Sequence, residues 1–504
     1  MDALLTALGM LSDINSIAAL LIGIVAGTVI GVIPGLGPSI AIALAIPFTL
    51  SMGMGPSIAL LMGLYCTSVY GGAITAIILN VPGTPASAPT AMAGYAMAKR
   101  GEADLALTTA TLASAIGGLF SVLVLMIFAP ILAKFALRFG PLEMCFVALF
   151  ALVCVILLDR LNLFRAIIGA LLGILIAAIG SDPMSGENRL TFDVFALSAG
   201  IPLVPLLIGL FAITEVISGM TGQNVTATDK FPRVGIRLPE RSMWKRITFV
   251  ISKSSIIGTV LGILPGAGPT AAAFVSYSEA KRSSQNPEDF ERGNIEGVAA
   301  PEAANNAVVG GSMVPTLSLG IPGDAVTALI LAALVLQGVI PGPRLYTENY
   351  HLVVYILVTL FIANAGIMAV GLLGTHLWVR MLRVPNQLLM AGVMVFATIG
   401  TFSVNNSIFD LYIMIAAGFL GVLLRITAIP ITPLILGFVL GPLIELNLRQ
   451  SLLVYDLSPS VLWERPIAGL FALLIIVIIF QPTLLRAYNR LASGKLSSSL
   501  SKDS

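Results

Sequence analysis

The chain reads as an all-α polytopic membrane protein made of two inverted-topology repeats with broken helices and re-entrant hairpins. Three observations predict this. Hydrophobic residues make up 57% of the 504 residues and charged residues only 10%, against about 25% charged in a soluble domain; the mean hydropathy is +0.99. Apolar stretches repeatedly reach the roughly 20 residues a helix needs to cross a bilayer core of about 30 Å. A glycine-proline breaker also occurs twice. Residues 31–39 read Gly-Val-Ile-Pro-Gly-Leu-Gly-Pro-Ser, and residues 262–270 read Gly-Ile-Leu-Pro-Gly-Ala-Gly-Pro-Thr. Pro and Gly interrupt helices, and paired interruptions in the two halves of an apolar chain point to a transporter binding site.

The first apolar run starts near Ile14 with no Lys or Arg before it. It lacks the basic region and cleavage site of a secretory signal and reads as a retained first span. Spans follow from hydrophobic length near 14–33, 57–80, 105–132, 142–158, 164–180 and 196–217 in the first half. In the second half they fall near 247–265, 349–373, 386–402, 408–428, 430–446 and 466–484. The total is about twelve transmembrane segments. Stretches at 38–52, 86–98, 269–280, 307–319 and 325–340 are too short or too interrupted to cross and read as half-helices or hairpins.

The repeat extends past the opening breaker. Pro34 pairs with Pro265, Gly71-Gly72 with Gly310-Gly311, and Val81-Pro82-Gly83-Thr84 with Ile321-Pro322-Gly323-Asp324. Near the repeat ends, Ile201-Pro202 and Pro205-Leu206 pair with Ile429-Pro430 and Pro433-Leu434. The loop at 218–246 carries Lys230, Arg233, Arg237, Arg241, Lys245 and Arg246, which places it in the cytoplasm by the positive-inside rule. Arg486, Arg490 and Lys495 place the C-terminal tail there too. The resulting division is repeat 1 at 1–217 with its N-terminus outside, a basic cytoplasmic linker at 218–246, an inverted repeat 2 at 247–446, and a final span with a cytoplasmic tail at 447–504.

From Ile14 to Ala98 there is no Asp, Glu, Lys, Arg or His, so a site within this segment is built from amides and hydroxyls. Its candidate solute-binding residues are Gly35, Gly37, Ser39, Asn80, Gly83 and Thr84. Each break restarts a half-helix whose free N–H groups and dipole favour an anion. The alternative is an ordinary kink satisfied by neighbouring helices, and duplication of both breaks weighs against it. Repeat 2 contributes Gly266, Gly268, Thr270, Gly323, Asn305 and Asn306. Glu302, Asn305 and Asn306 share one face of a helix starting at Pro301. Asp324 is the only ionisable residue between Val308 and Pro343.

Glu302 and Asp324 are the coupling-ion candidates. Each also has a plain reading, as a first-turn acid and as an N-cap matching Thr84. One helix terminus contributes about 0.3–2 kcal/mol to a nearby charge, whereas desolvating an ion costs several kcal/mol. A multiply charged anion here needs co-bound cations, retained water or charges from repeat 2, and Na⁺ or H⁺ coupling follows as an expectation. Arg425 reads as a snorkelling interfacial residue or as a partner for a substrate carboxylate.

Other classes find no support. Cys66, Cys145 and Cys154 all lie in apolar runs, as small buried hydrophobes rather than a disulfide framework. A net charge of +2 does not point to nucleic acid. The P-loop, His-Glu-x-x-His and Gly-x-Ser-x-Gly motifs are missing, so an enzyme is not expected. No cofactor is expected beyond Na⁺ as a coupling ion.

Tyr70-Gly71-Gly72, Leu79–Pro85, Gly293–Ala307 with its Pro-Glu-Ala-Ala-Asn-Asn core, and Leu319–Gly323 resemble the TctA family over essentially the whole chain. That family is the large membrane subunit of bacterial tripartite tricarboxylate transporters. The resemblance implies a secondary transporter of the bacterial inner membrane that imports citrate or another carboxylate on a cation gradient. It implies two partners, a small membrane subunit of about four helices and a periplasmic solute-binding protein. The chain departs from the family pattern at Asp324, where a small residue such as Ser follows Ile-Pro-Gly. The rival reading is a self-sufficient carrier or channel without partner subunits.

Overall fold

The computed structural model describes residues 2–158, 162–221, 234–382, 384–455 and 460–480. Lys230, Arg233 and the tail residues Arg486, Arg490 and Lys495 lie outside them.

Repeat 1 begins with α1 (Asp2–Ser12) and α2 (Ile14–Val32), breaks at Pro34-Gly35, and restarts as α3 (Gly37–Thr49). Next, α4 (Met54–Leu79) runs to the second break, followed by α5 (Ala88–Lys99), the long α6 (Ala103–Ala136), α7 (Pro141–Leu158) and α8 (Leu163–Ala177). A small antiparallel pair, β1 (Gly180–Ser181) and β2 (Asn188–Arg189), precedes α9 (Leu203–Ile208). A π-helical turn at Gly209–Ile213 joins α9 to α10 (Thr214–Thr221).

Repeat 2 follows the same order with α11 (Arg241–Ile263), α12 (Gly268–Ser283), α13 (Glu296–Leu319) and α14 (Ala325–Leu336). The short α15 (Pro343–Glu348) leads to α16 (Tyr350–Leu373), α17 (Thr375–Met381), α18 (Asn386–Asn405), α19 (Ile408–Ile426) and α20 (Ile431–Val454). A last short helix, α21 (Val461–Glu464), comes before an apolar helix at Pro466–Phe480. Eight described helices are long and apolar enough to cross a membrane, and several shorter apolar helices accompany them. The protein is an all-α, multi-pass membrane protein.

The two central helices explain the arrangement. Every residue of α4 from Ser57 to Ile78 is buried, and so is every residue of α13 from Glu296 to Ser318. Small residues make this packing close. A Cβ on Gly71 would lie 2.8 Å from the Gly31 Cα, and one on Gly311 would lie 3.0 Å from the Gly262 Cα. Backbones approach this closely through small-residue stripes, here Gly23, Gly27 and Gly31 on α2. The halves also interlock, because α6 of repeat 1 packs on α13 while α16 of repeat 2 packs on α4.

Several expectations are corrected. The stretch at 307–319 is the second half of the continuous α13, since contacts on all sides shelter a helix too polar for hydropathy to detect. That helix starts at Glu296, so Pro301 lies in its second turn rather than at its start. The span expected at 247–265 begins at Arg241, taking Lys245 and Arg246 out of the linker. There Arg246 Nη2 meets Glu296 Oε1 at 2.6 Å, and Glu296 is only 7% exposed. The repeat register moves by one residue as well. The close Gly31–Gly71 and Gly262–Gly311 pairs align Gly71 with Gly311 and Gly72 with Ser312, not Gly71-Gly72 with Gly310-Gly311. The α1 helix, the β-hairpin and the π turn have no counterpart in the expectations.

Candidate functional site at the crossing of the broken helices

The two breaks of each repeat are tied together by equivalent hydrogen bonds. The Gly35 N–H donates to the Gly83 carbonyl at 3.3 Å, and the Gly266 N–H donates to the Gly323 carbonyl at 2.5 Å. Gly35 and Gly266 hold φ of +89° and +87°, a left-handed backbone that glycine adopts without a Cβ penalty. The helices before the second breaks end alike, with Asn80 at φ 57° and Gly320 at φ 71°, the usual geometry of a helix C-terminus.

A cavity of about 560 Å³ lies where the breaks meet. It is lined by Gly35, Gly37 and Ser39, by Thr84, by Gly266, Gly268 and Thr270, and by Asn305 and Asp324. Nine of the fourteen sequence candidates thus face one space. Gly83 and Gly323 sit behind it and tie the breaks through their carbonyls. Asn80 caps α4 and does not line the cavity. Asn306 and Glu302 point elsewhere. The Asn306 Nδ2 donates to the Glu302 carbonyl at 3.3 Å, and Glu302 accepts from Thr90 Oγ1 at 2.6 Å and Ser114 Oγ at 3.1 Å, with no exposure. The residues placed on one face of α13 therefore divide, Asn305 to the cavity and Glu302 to a buried hydroxyl pocket against α5 and α6.

Asp324 does two things at once. It is the N-cap of α14, where its Oδ1 accepts from the Thr327 N–H at 2.7 Å and its own N–H donates to Thr327 Oγ1 at 2.8 Å. Its Oδ2 accepts from the Tyr65 hydroxyl at 3.0 Å, and that hydroxyl lies 2.9 Å from Ser312 Oγ. Tyr65 belongs to repeat 1, so this contact crosses the repeats.

With an offset of 240, Tyr65 corresponds to Asn305, Ser312 to Gly72 and Asp324 to Thr84. The counterpart groups are unsatisfied. Both side-chain polar atoms of Asn305 and the Thr84 Oγ1 are buried without a partner among the described residues. One crossing is therefore closed by its own carboxylate, and the other presents open donors and acceptors beside the cavity. Buried polar groups without partners are rare and call for a reason.

The lining also includes Val69, Val155, Phe211, Pro430, Thr432 and Pro433, which the sequence expectations missed. The repeat of Ile-Pro-x-x-Pro at 201–205 and 429–433 was the available signal for the last three. Tyr65 had none, since a tyrosine in an apolar run reads as core. Among the described residues no cluster of His, Cys, Asp and Glu is arranged to hold a metal ion.

The family model described as the tripartite tricarboxylate transporter TctA family matches residues 17–436. An uncharacterised 52.8 kDa protein of the TAR-I ttuC' 3' region of Agrobacterium vitis is 38% identical over 432 residues, covering 86% of each chain. An uncharacterised protein of the TAR-II ttuC' 3' region of the same organism is 45% identical over 213 residues, 42% of this chain and 88% of that one. No solved structure matches. The chain belongs to the tripartite tricarboxylate transporter TctA family and is a membrane subunit of a transporter with further subunits.

Proposed function

We propose that this subunit imports a carboxylate, a citrate-like tricarboxylate or a dicarboxylate, across the bacterial inner membrane on a Na⁺ or H⁺ gradient. A periplasmic solute-binding protein delivers the solute, and a small membrane subunit of about four helices completes the complex. The observation that carries this reading is the cavity itself. Four breaks, two in each repeat, converge on it with restarted half-helices, hydroxyls and the unpartnered Asn305 amide, and among the described residues it holds one acid, Asp324. Half-helix N-termini favour anionic groups, and interrupted helices at a repeat interface are where transporters of this architecture bind.

The anion-facing groups are Gly35, Gly37, Ser39, Thr84, Gly266, Gly268, Thr270 and Asn305. Asp324, with the Tyr65 and Ser312 hydroxyls beside it, is the coupling site facing the cavity. An all-oxygen set of this kind suits a hard cation or a carried proton. Glu302, enclosed by Thr90 and Ser114, is a second candidate remote from the solute.

Uptake of citrate and a panel of dicarboxylates by the reconstituted three-component system tests the reading. Saturable uptake that requires the binding protein and stops when both cation gradients are collapsed is expected. Uptake indifferent to both gradients overturns the coupling, and full transport by this chain alone overturns the partners.

A further inference from the structure

Among the described residues the cavity has no cationic lining residue, although the proposed solute is an anion. A second cavity of about 440 Å³ adjoins it and shares Gly35, Ile40, Phe211 and Pro430 with it. Among the described residues, the only charged ones lining the second cavity are Glu215 and Arg425. They pair across the repeats, Arg425 Nη1 donating to Glu215 Oε2 at 3.1 Å.

Both residues are placed by particular elements. Arg425 occupies the last turn of α19, and its side chain is 56% exposed against 22% for Glu215. Glu215 lies two residues beyond the π turn whose Phe211 lines both cavities. Single π turns inside α-helices occur frequently at functional sites. The other carboxylate oxygen of Glu215 lies over the first breaker, where a Cβ on Gly35 would collide with Oε1. This acid thus touches the broken helix on one side and the guanidinium on the other.

A guanidinium offers a planar fork that fits a carboxylate in two bonds. Here it faces an internal carboxylate while remaining more than half exposed. The guanidinium end is the solvent-screened one, where an ion pair holds weakly, so an arriving carboxylate can share Arg425 with Glu215 or take its place. A bridge that only held α10 to α19 would not need to line a cavity continuous with the breaks.

We propose that Arg425 receives a carboxylate of the incoming solute in an antechamber to the main cavity. Glu215 is a positioning residue that occupies the guanidinium until the solute arrives. The proposal rests on the carboxylate-transport reading above and assigns it a first contact.

Citrate uptake kinetics in the reconstituted three-component system test it, with Arg425→Gln, Arg425→Lys, Glu215→Gln and the Gln/Gln double variant normalised to protein in the membrane. Arg425→Gln is expected to raise KM about tenfold, the scale of one charge-assisted contact, and Arg425→Lys to raise it less. Glu215→Gln is expected to lower KM about threefold by freeing the guanidinium. The double variant should match Arg425→Gln. Glu215→Gln alone decides the matter if the Arg425 variants fail to fold, because an unchanged or raised KM in it overturns the proposal. Equal damage from both single variants with recovery in the double variant also overturns it, since that is the pattern of a structural bridge. Absence of wild-type uptake across the whole carboxylate panel defeats the underlying transport reading instead, so the two failures are distinguishable.

Discussion

Asp324 carries the sharpest consequence at the level of single residues. Its carboxylate caps α14 and also accepts from Tyr65 across the repeats. Asp324→Asn keeps a capping side chain but removes the charge. It should weaken the Na⁺ or pH dependence of uptake more than the apparent affinity for the solute, read from uptake at graded Na⁺ and pH. Tyr65→Phe removes one donor and should act in the same direction with a smaller effect. If coupling is unchanged in both variants, Asp324 is only a cap. Gly266 gives a stability prediction. Its φ of +87° and its contact with Val155 leave no room for a side chain. Gly266→Ala should cost at least about 1–2 kcal/mol, the penalty of a left-handed backbone for an L residue, seen as a lowered Tm of the purified protein in detergent. The cavity-lining glycines, Ser39, Thr84, Thr270 and Asp324 were legible because breakers stand out in apolar runs. Tyr65 was not, because only the crossing of the repeats brings it to an acid 259 residues away.

At the scale of elements, α2 and α4 touch through backbone. Gly71→Ala would place a Cβ 2.8 Å from the Gly31 Cα. Overpacking of this kind costs about 1–3 kcal/mol, so the variant should lose thermal stability and bring α2 away from α4. Gly311→Ala should do the same to α11 and α13, and a Tm unchanged in both would contradict the close packing. The hairpin of β1 and β2 is held to α20 by charge, with Asp182 Oδ2 accepting from Arg449 Nη1 at 2.6 Å and Arg189 Nη1 donating to Glu445 Oε1 at 2.7 Å. The Met184 backbone N–H first, then Arg449 and the Ser185 N–H, hold the Asp182 carboxyl down at about 2, against an ordinary value of 3.8. A depressed folded-state pKa stabilises the hairpin above the ordinary value and loses that effect as pH falls through the folded one. Hydrogen exchange at 180–189 should therefore be slow and flat above about pH 4 once corrected for intrinsic rates, and should rise as the pH approaches 2. Asp182→Asn should abolish that dependence. The span lengths of most helices were legible from hydropathy. The continuity of α13 was not, since its polar residues are sheltered by packing rather than by composition.

At the scale of the molecule, the cavity is one-sided. It reaches Pro430, Thr432 and Pro433 of repeat 2 but not their repeat-1 counterparts Pro202, Val204 and Pro205. Two interlocked, related halves can exchange such roles, as alternating access between repeats requires. Thr432→Cys should thus react with a small hydrophilic thiol reagent faster than Val204→Cys in the resting protein. Solute plus coupling cation should narrow that difference, and equal labelling under both conditions would argue for a static pore.

By itself, the sequence determined that this protein is helical and membrane-embedded, that it is duplicated, and where its helices break. Those properties follow from local chemistry: apolar length sets the span, and Pro and Gly interrupt the hydrogen-bond ladder. Only the tertiary structure decided which candidates share a cavity. It sent Glu302 and Asn305, three residues apart on one helix, to different environments, because α13 is surrounded on all sides by α5, α6, α11 and α12. It also joined Tyr65 to Asp324 and Glu215 to Arg425, because the two halves cross and bring residues distant in sequence side by side.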